Sequence, residues 1–338
     1  MATGIKNGRT SQILQFAHDI DAVAERYAVA ITPLMQELID AERSDGPISK
    51  QFVPDARELD SAHGELADPV GDGPHAPVPG IVHRYPDRVL LMPTKICAAY
   101  CRFCFRRETV GQQGEALLPA RELAAALQYI REHEEIWEVI LSGGDPLVLS
   151  PRRLDKILTE LREIAHVRVV RVHTRVPLVA PEKITRELTE VLRKAAPLFV
   201  VLHANHADEF APQGQAACAR LVDAGIPMLG QSVLLRGVND NAAALEALLR
   251  RQVENRIKPY YLHHADRANG TAHFRTGLAQ GRALTAGLRG RVSGICQPAY
   301  VLDIPGGHGK SPVGPDYVRE RSDGVDVRDV NGCWHAYE

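Results

Sequence analysis

The chain has no long apolar run. Nowhere do about 18 hydrophobic residues follow one another, the minimum for a membrane-crossing helix, so no such helix is expected. Its first residues, MATGIKNGRTSQ, lack the apolar centre of a secretory leader, which leads to the expectation of a cytoplasmic protein. Neither sign of charge dominates: 40 Lys and Arg stand against 42 Asp and Glu, a formal net charge of −2. That balance gives nucleic acid or an anionic membrane no global attraction, and neither is expected as a partner. Cysteine is scarce, at six in 338 residues, far from the density of a disulfide scaffold. Where thiols stay reduced, a tight group of them points to a metal or to redox chemistry.

What is present is an alternation. Residues 1–45 carry apolar residues at helical spacing (ILQFAHDIDAVAERYAV, ITPLMQELIDAER), and residues 46–80 are rich in Pro, Gly and Asp and read as an irregular connector. From residue 88 strand-like and helix-like stretches take turns. RVLLMPT, WEVILSG, VRVVRVHT, LFVVLHAN, IPMLGQSVLL and IKPYYLHH are each strand candidates, and helical patterns lie between them. A βα unit of this length repeated six times implies a parallel sheet with right-handed crossovers. Six units are too few for a complete eight-stranded barrel. The expected fold is therefore α/β, a partial (β/α)6 barrel with an N-terminal helical extension, and a doubly wound sheet is the alternative. The expected division is an extension and linker at 1–79, a core at 80–310 and a C-terminal tail at 311–338. In either architecture chemistry collects beyond the C-terminal ends of the strands. The polar clusters KICAAYCRFCFRRE, SGGD, HTRVP, HANH and HHAD all follow strands.

Cys97, Cys101 and Cys104 lie on one loop after the first of these strands. A structural zinc takes four ligands, so here the fourth would come from afar, such as Cys296 or a histidine. A [4Fe–4S] cluster normally takes four thiolates, and three leave one iron open to a small molecule. Lys95, Arg102, Arg106 and Arg107 make the loop basic. That is expected to favour thiolates and to offset an anionic cluster.

The spacing Cys-x3-Cys-x2-Cys in this setting resembles the radical S-adenosylmethionine (SAM) superfamily, and Phe103 matches the aromatic usual before the last cysteine. The resemblance implies a [4Fe–4S] cluster held by Cys97, Cys101 and Cys104, with SAM on the open iron and a 5′-deoxyadenosyl radical as its product. Ser142, Gly143, Gly144 and Asp145 match the segment that contacts the SAM amino group. The glycines suit close backbone approach, and charge pairing is the expected role of the aspartate.

VLDIPGGHGKSP at 301–312 narrows the resemblance to the lysine 2,3-aminomutase family. Lys310 then corresponds to the lysine that holds pyridoxal 5′-phosphate (PLP). Arg88 and Gln231 match contacts to the PLP phosphate, and Arg106 matches the group that binds the substrate carboxylate. Asp266 and Asp303 match the pair that takes the ε-ammonium of lysine. His203 is expected to line the SAM or PLP cavity, whereas His206, His263, His264, His273 and His308 read mostly as structural. The implied activity is an isomerase that converts L-lysine to β-lysine. The related enzyme serving elongation factor P, or an aminomutase for arginine or glutamate, is the alternative. Glutamate is disfavoured because two aspartates would repel its side chain. An electron donor of the flavodoxin or ferredoxin type is implied, and a homo-oligomer is left open. The family's cysteine after the GVND segment is missing, and the tail has only Cys333, so no zinc site is expected there. Cys218 and Cys296 read as small buried residues.

Overall fold

The computed structural model describes residues 20–42, 45–112, 114 and 116–338. The first N-terminal helical pattern is described only from residue 20, with residues 20–26 helical, and the remainder of it lies outside the described residues. The second forms the helix Pro33–Ala41, which Thr32 caps by accepting from the Met35 N–H. The Pro- and Gly-rich stretch after it is more ordered than its composition implies. It holds the short helix Pro47–Phe52 and the 3-10 turns Ala56–Leu59 and Gly73–His75. Ile48 and Phe52 are fully buried in the main core, which anchors this stretch to the body of the protein.

Nine strands form one sheet in chain order. They are β1 (Ile81–Tyr85), β2 (Arg88–Thr94), β3 (Glu138–Gly143), β4 (Val169–Thr174), β5 (Leu198–His203), β6 (Met228–Leu234), β7 (Ile257–His264), β8 (Ala299–Ile304) and β9 (Gly309–Pro312). Pairing is parallel from β2 to β8 and antiparallel at each end, where β1 joins β2 and β9 joins β8. The six expected strands are β2 to β7, and the structure adds β8 as a further parallel strand. The helix before it, Leu278–Leu288, reads LAQGRALTAGL. Its two glycines and short side chains give a weak apolar stripe, which hides this last βα unit in the sequence.

The crossover helices begin where side-chain caps are available. Ser150, Thr185 and Asn241 accept from the backbone N–H groups of Arg153, Leu188 and Ala244 at the starts of Pro151–Arg162, Arg186–Lys194 and Ala242–Glu254. Their apolar faces pack on the sheet: Leu154, Ile157, Leu161, Leu188 and Leu192 are at most 1% exposed. Each such side chain contributes about 1.5–3 kcal/mol on burial.

The sheet curls until its two edge strands almost meet. The Lys310 N–H of β9 donates to the Tyr85 hydroxyl of β1 at 2.7 Å. Past the sheet, β10 (Val318–Arg321), β11 (Gly324–Arg328) and β12 (Trp334–Ala336) form a separate antiparallel sheet, so the residues read as a tail are structured. β9 itself runs across the expected boundary at residue 310. Among the described residues no helix is long and apolar enough to cross a membrane.

Candidate active site

The curled sheet encloses a cavity of about 680 Å³. Strand side chains alternate between faces, so every second residue points inward. Glu138, Ile140 and Ser142 of β3 and Ala299, Val301 and Asp303 of β8 line the cavity in this way. It brings together eight expected site residues: Arg88, Arg106, Ser142, His203, Gln231, Asp266, Asp303 and Lys310. Cys97, Cys101, Cys104, Gly143, Gly144 and Asp145 are not on its wall. They form an adjoining layer at the ends of β2 and β3.

That layer is built by backbone. The Gly144 and Asp145 N–H groups donate to the Thr94 and Ile96 carbonyls at 2.8 Å each, tying SGGD to the cysteine loop. A Cβ on Gly144 would lie 2.3 Å from the Ile96 oxygen, and Gly143 has φ +102°. The glycines therefore permit the approach of one loop to another. Asp145 departs from its expected role. Its carboxylate is buried and accepts from the Thr174 hydroxyl at 2.7 Å and from the N–H groups of Arg175 at 2.7 Å and Leu147 at 3.0 Å. With its oxygens engaged by its own scaffold, it fixes the end of β4 and is not placed for charge pairing with a ligand.

The basic loop also differs from expectation. Arg102 and Arg107 are buried on the carboxylate of Glu58, Arg102 through Nη2 at 2.6 Å. Arg106 binds Asp72 through Nε at 2.7 Å. These cations are matched by acids from the N-terminal segment, and the pull of Arg106 and Arg107 toward a Cys104 thiolate is outweighed by burial. Burial instead raises the Cys97 thiol well above the ordinary value, helped by Asp145 and the other two cysteines, and pushes Cys104 up to about 11. The guanidinium that touches a cysteine is Arg175, which donates to the Cys101 sulfur at 2.8 Å. Its other nitrogen donates to Glu209 at 2.6 Å and to Gln51 at 2.5 Å.

Cys97, Cys101 and Cys104 are free thiols, close enough that Cys101 and Cys104 raise the proton affinity of Cys97 and Cys101 raises that of Cys104. Among the described residues no three His, Cys, Asp or Glu side chains converge as a ligand group for a single ion. A [4Fe–4S] cluster takes one thiolate per iron and needs ligands spread around it, which a loop carrying three separate thiols fits.

Acids and bases pair across the cavity. The Lys310 ammonium lies 2.5 Å from Asp303. The same carboxylate is 3.3 Å from His263 Nδ1 and 3.8 Å from Arg84. Burial acts to raise Asp303, but the His263 hydrogen bond and the Lys310 charge outweigh it and hold the group well below the usual carboxylate range. Asp266 has no such partner: burial, then the charge of Asp303, pushes it up to about 7. Arg84 also binds Asp72 at 3.1 Å, so Asp72 bridges Arg84 and Arg106. His173 Nδ1 is 3.1 Å from His203 Nε2. Burial depresses both, His203 to about 3, and they are neutral at physiological pH.

Arg84 Nε, Arg171 Nε, His173 Nε2 and His263 Nε2 are buried at this cavity and make no hydrogen bond among the described residues. A wall with a lysine amine and unsatisfied polar nitrogens fits a phosphate-bearing aldehyde such as PLP. Asp72, Arg84, His173 and His263 were not singled out as ligands from the sequence. His173 and His263 sit in the polar clusters HTRVP and HHAD, but Asp72 lies in a stretch whose composition signals only a loop.

The family model "Radical SAM superfamily" matches residues 91–248, and the model "Lysine-2,3-aminomutase" matches residues 285–338. The L-lysine 2,3-aminomutase of Clostridium subterminale is 44% identical over 310 residues, 91% of this chain and 74% of that protein. That of Acetoanaerobium sticklandii is 43% identical over 311 residues, 92% of this chain and 75% of that protein. The glutamate 2,3-aminomutase of Clostridioides difficile is 37% identical over 314 residues, 93% of this chain and 74% of that protein.

Proposed function

The chain belongs to the lysine 2,3-aminomutase family of the radical SAM superfamily, and from that membership we propose that it converts L-lysine to β-lysine by moving the α-amino group to C3. Its cofactors are a [4Fe–4S] cluster, SAM and PLP. When bound, the cluster and SAM supply a hydrogen-abstracting radical and PLP carries the migrating nitrogen.

The roles below are assigned to this chain's own residues. Cys97, Cys101 and Cys104 hold the cluster, and the backbone of Ser142, Gly143 and Gly144 borders SAM. Lys310 is the amine that holds PLP, with Arg88, Gln231 and His203 as further cofactor contacts. Arg106 is anchored through Nε on Asp72, which leaves its Nη edge for the substrate carboxylate. Asp266 and Asp303 take the side-chain ammonium. The walls of the curled sheet keep the reacting atoms apart from bulk water. A donor of the flavodoxin or ferredoxin type delivers the electron.

The observation that carries the substrate reading is that Asp266, Asp303 and Arg106 line a single cavity. A glutamate side chain would meet Asp266 and Asp303 as a like charge, and the cost of an unmatched buried charge is several kcal/mol, of order 3–5. The test is an anaerobic assay with reduced protein, SAM, PLP and each of L-lysine, L-arginine and L-glutamate. β-Lysine as the main product is expected. β-Arginine or β-glutamate without β-lysine would overturn the substrate assignment.

A further inference from the structure

Two ammonium groups have a claim on one carboxylate. Asp303, assigned above to the substrate's side-chain ammonium, lies 2.5 Å from the Lys310 ammonium. His263 Nδ1 is 3.3 Å from the same oxygen, and Arg84 is 3.8 Å from the other. The side chain of Asp303 is 11% exposed, and the oxygen that meets Lys310 also carries the His263 contact. Asp266, on the same cavity wall, is affected most by burial and then by the charges of Asp303, Lys310, Arg106 and Arg84, and among the described residues no cation is hydrogen-bonded to it. In the cofactor-free chain the proposed ammonium site is therefore half complete.

We propose that Asp303 is a shared counter-ion, which passes from the Lys310 ammonium to the substrate's ammonium when Lys310 takes up PLP. The proposal rests on the aminomutase reading and adds an order of assembly to it. In the loading step the Lys310 ammonium releases a proton to solvent. The free amine attacks the aldehyde carbon of PLP, a C=N bond replaces C=O, and the aldehyde oxygen leaves as water. Nζ is then held by the cofactor and no longer compensates Asp303. A free ligand cannot achieve this displacement alone. A tethered amine acts at an effective concentration on the order of millimolar or more, which outcompetes a free ammonium at micromolar levels. By reciprocity, an ammonium ligand that prefers the loaded chain must tighten PLP binding by the same factor.

The probe is 6-aminohexanoate, which carries the carboxylate and the distant ammonium of lysine but no α-amine and so cannot join PLP itself. Hexanoate, without the ammonium, is the control. Calorimetric titration of the full chain with and without PLP is expected to show about tenfold tighter binding of 6-aminohexanoate after loading, about 1.4 kcal/mol. Hexanoate should be unchanged. Lys310→Ala, without PLP, should bind 6-aminohexanoate about as tightly as the loaded chain, so that loss of a catalytic lysine improves binding. Asp303→Asn should abolish the gain. Equal binding before and after loading, or an equal gain for hexanoate, would overturn the shared-counter-ion proposal and leave the aminomutase reading intact. The loaded and unloaded comparison in the unaltered chain decides this even if a variant fails to fold. A chain that takes up no PLP would overturn both.

Discussion

The Arg175 guanidinium donates to the Cys101 sulfur across 2.8 Å, although the two residues are 74 apart in the chain. Arg175 is buried and held by Glu209 and Gln51, so the donor cannot swing away. A charged donor to a ligating sulfur stabilises the more negative, reduced state of a cluster. Arg175→Met should therefore lower the ratio of reduced to oxidised cluster about tenfold at a fixed poise, a shift of about 59 mV for one electron. Arg175→Lys should recover part of it. A redox titration followed by electron paramagnetic resonance checks this, and an unchanged potential would confine Arg175 to a role in the fold.

Gly144 controls whether the cysteine loop can close on SGGD, since a Cβ there would meet the Ile96 oxygen at 2.3 Å. Gly144→Ala should push the loop away and cut bound iron, from about four per chain to less than half that. Iron analysis after anaerobic reconstitution measures it. Full iron content would show that the loop tolerates the displacement.

Glu58 alone faces Arg102 and Arg107 in a site closed to water. Glu58→Gln would leave buried positive charge without compensation, at a cost of about 3–5 kcal/mol. Urea denaturation of the cofactor-free chain should show that loss, because the interaction exists before any cofactor binds. A change below about 1 kcal/mol would place the pair among weak surface bridges.

Asp266 gives opposite pH trends for stability and for binding. Its folded-state value of about 7 lies above the ordinary 3.8, so the folded chain holds the proton more tightly than the unfolded one. Its contribution to stability is complete below about pH 4 and is lost as pH rises through about 7. Ammonium binding needs the ionised carboxylate and should strengthen over that same rise. Denaturation of the cofactor-free chain, and titration of the loaded chain with 6-aminohexanoate, from pH 5.5 to 8.5 test both trends. Asp266→Asn should flatten both, and a variant that retained either slope would assign it to another group. The charges facing Asp266 are those of Asp303, Lys310, Arg106 and Arg84.

Much of the scaffold is legible because strands and helices are written locally. RVLLMPT and IKPYYLHH form strands over the expected residues, 88–94 and 257–264. The strand candidate at 198–205 ends at His203: the Ala204 N–H makes the last ladder bond, to the Gln231 carbonyl at 3.1 Å, and the Asn205 N–H turns to the Glu209 carboxylate at 2.7 Å. β8 escaped notice because the helix before it has no strong apolar stripe. A short polar residue after two glycines, such as Asp145, suits a ligand and a scaffold cap equally well. Only the end of β4, 29 residues away at Thr174, decides between them.

The sequence by itself determined what depends on short spacing: three thiols on one loop, glycines where loops touch, a lysine just after a glycine-rich turn, and the alternation that stacks strands in chain order. Tertiary structure decided which charge meets which. Glu58 with Arg102, Asp72 with Arg106, and Glu209 with Arg175 are 44, 34 and 34 residues apart. Periodicity carries no record of such pairs. The strength of a charge interaction rises steeply as water is excluded, so the partner of a buried ion is settled only when the surrounding chain has closed over it. The same closure puts Lys310 beside Asp303, where one carboxylate faces two ammonium groups in turn.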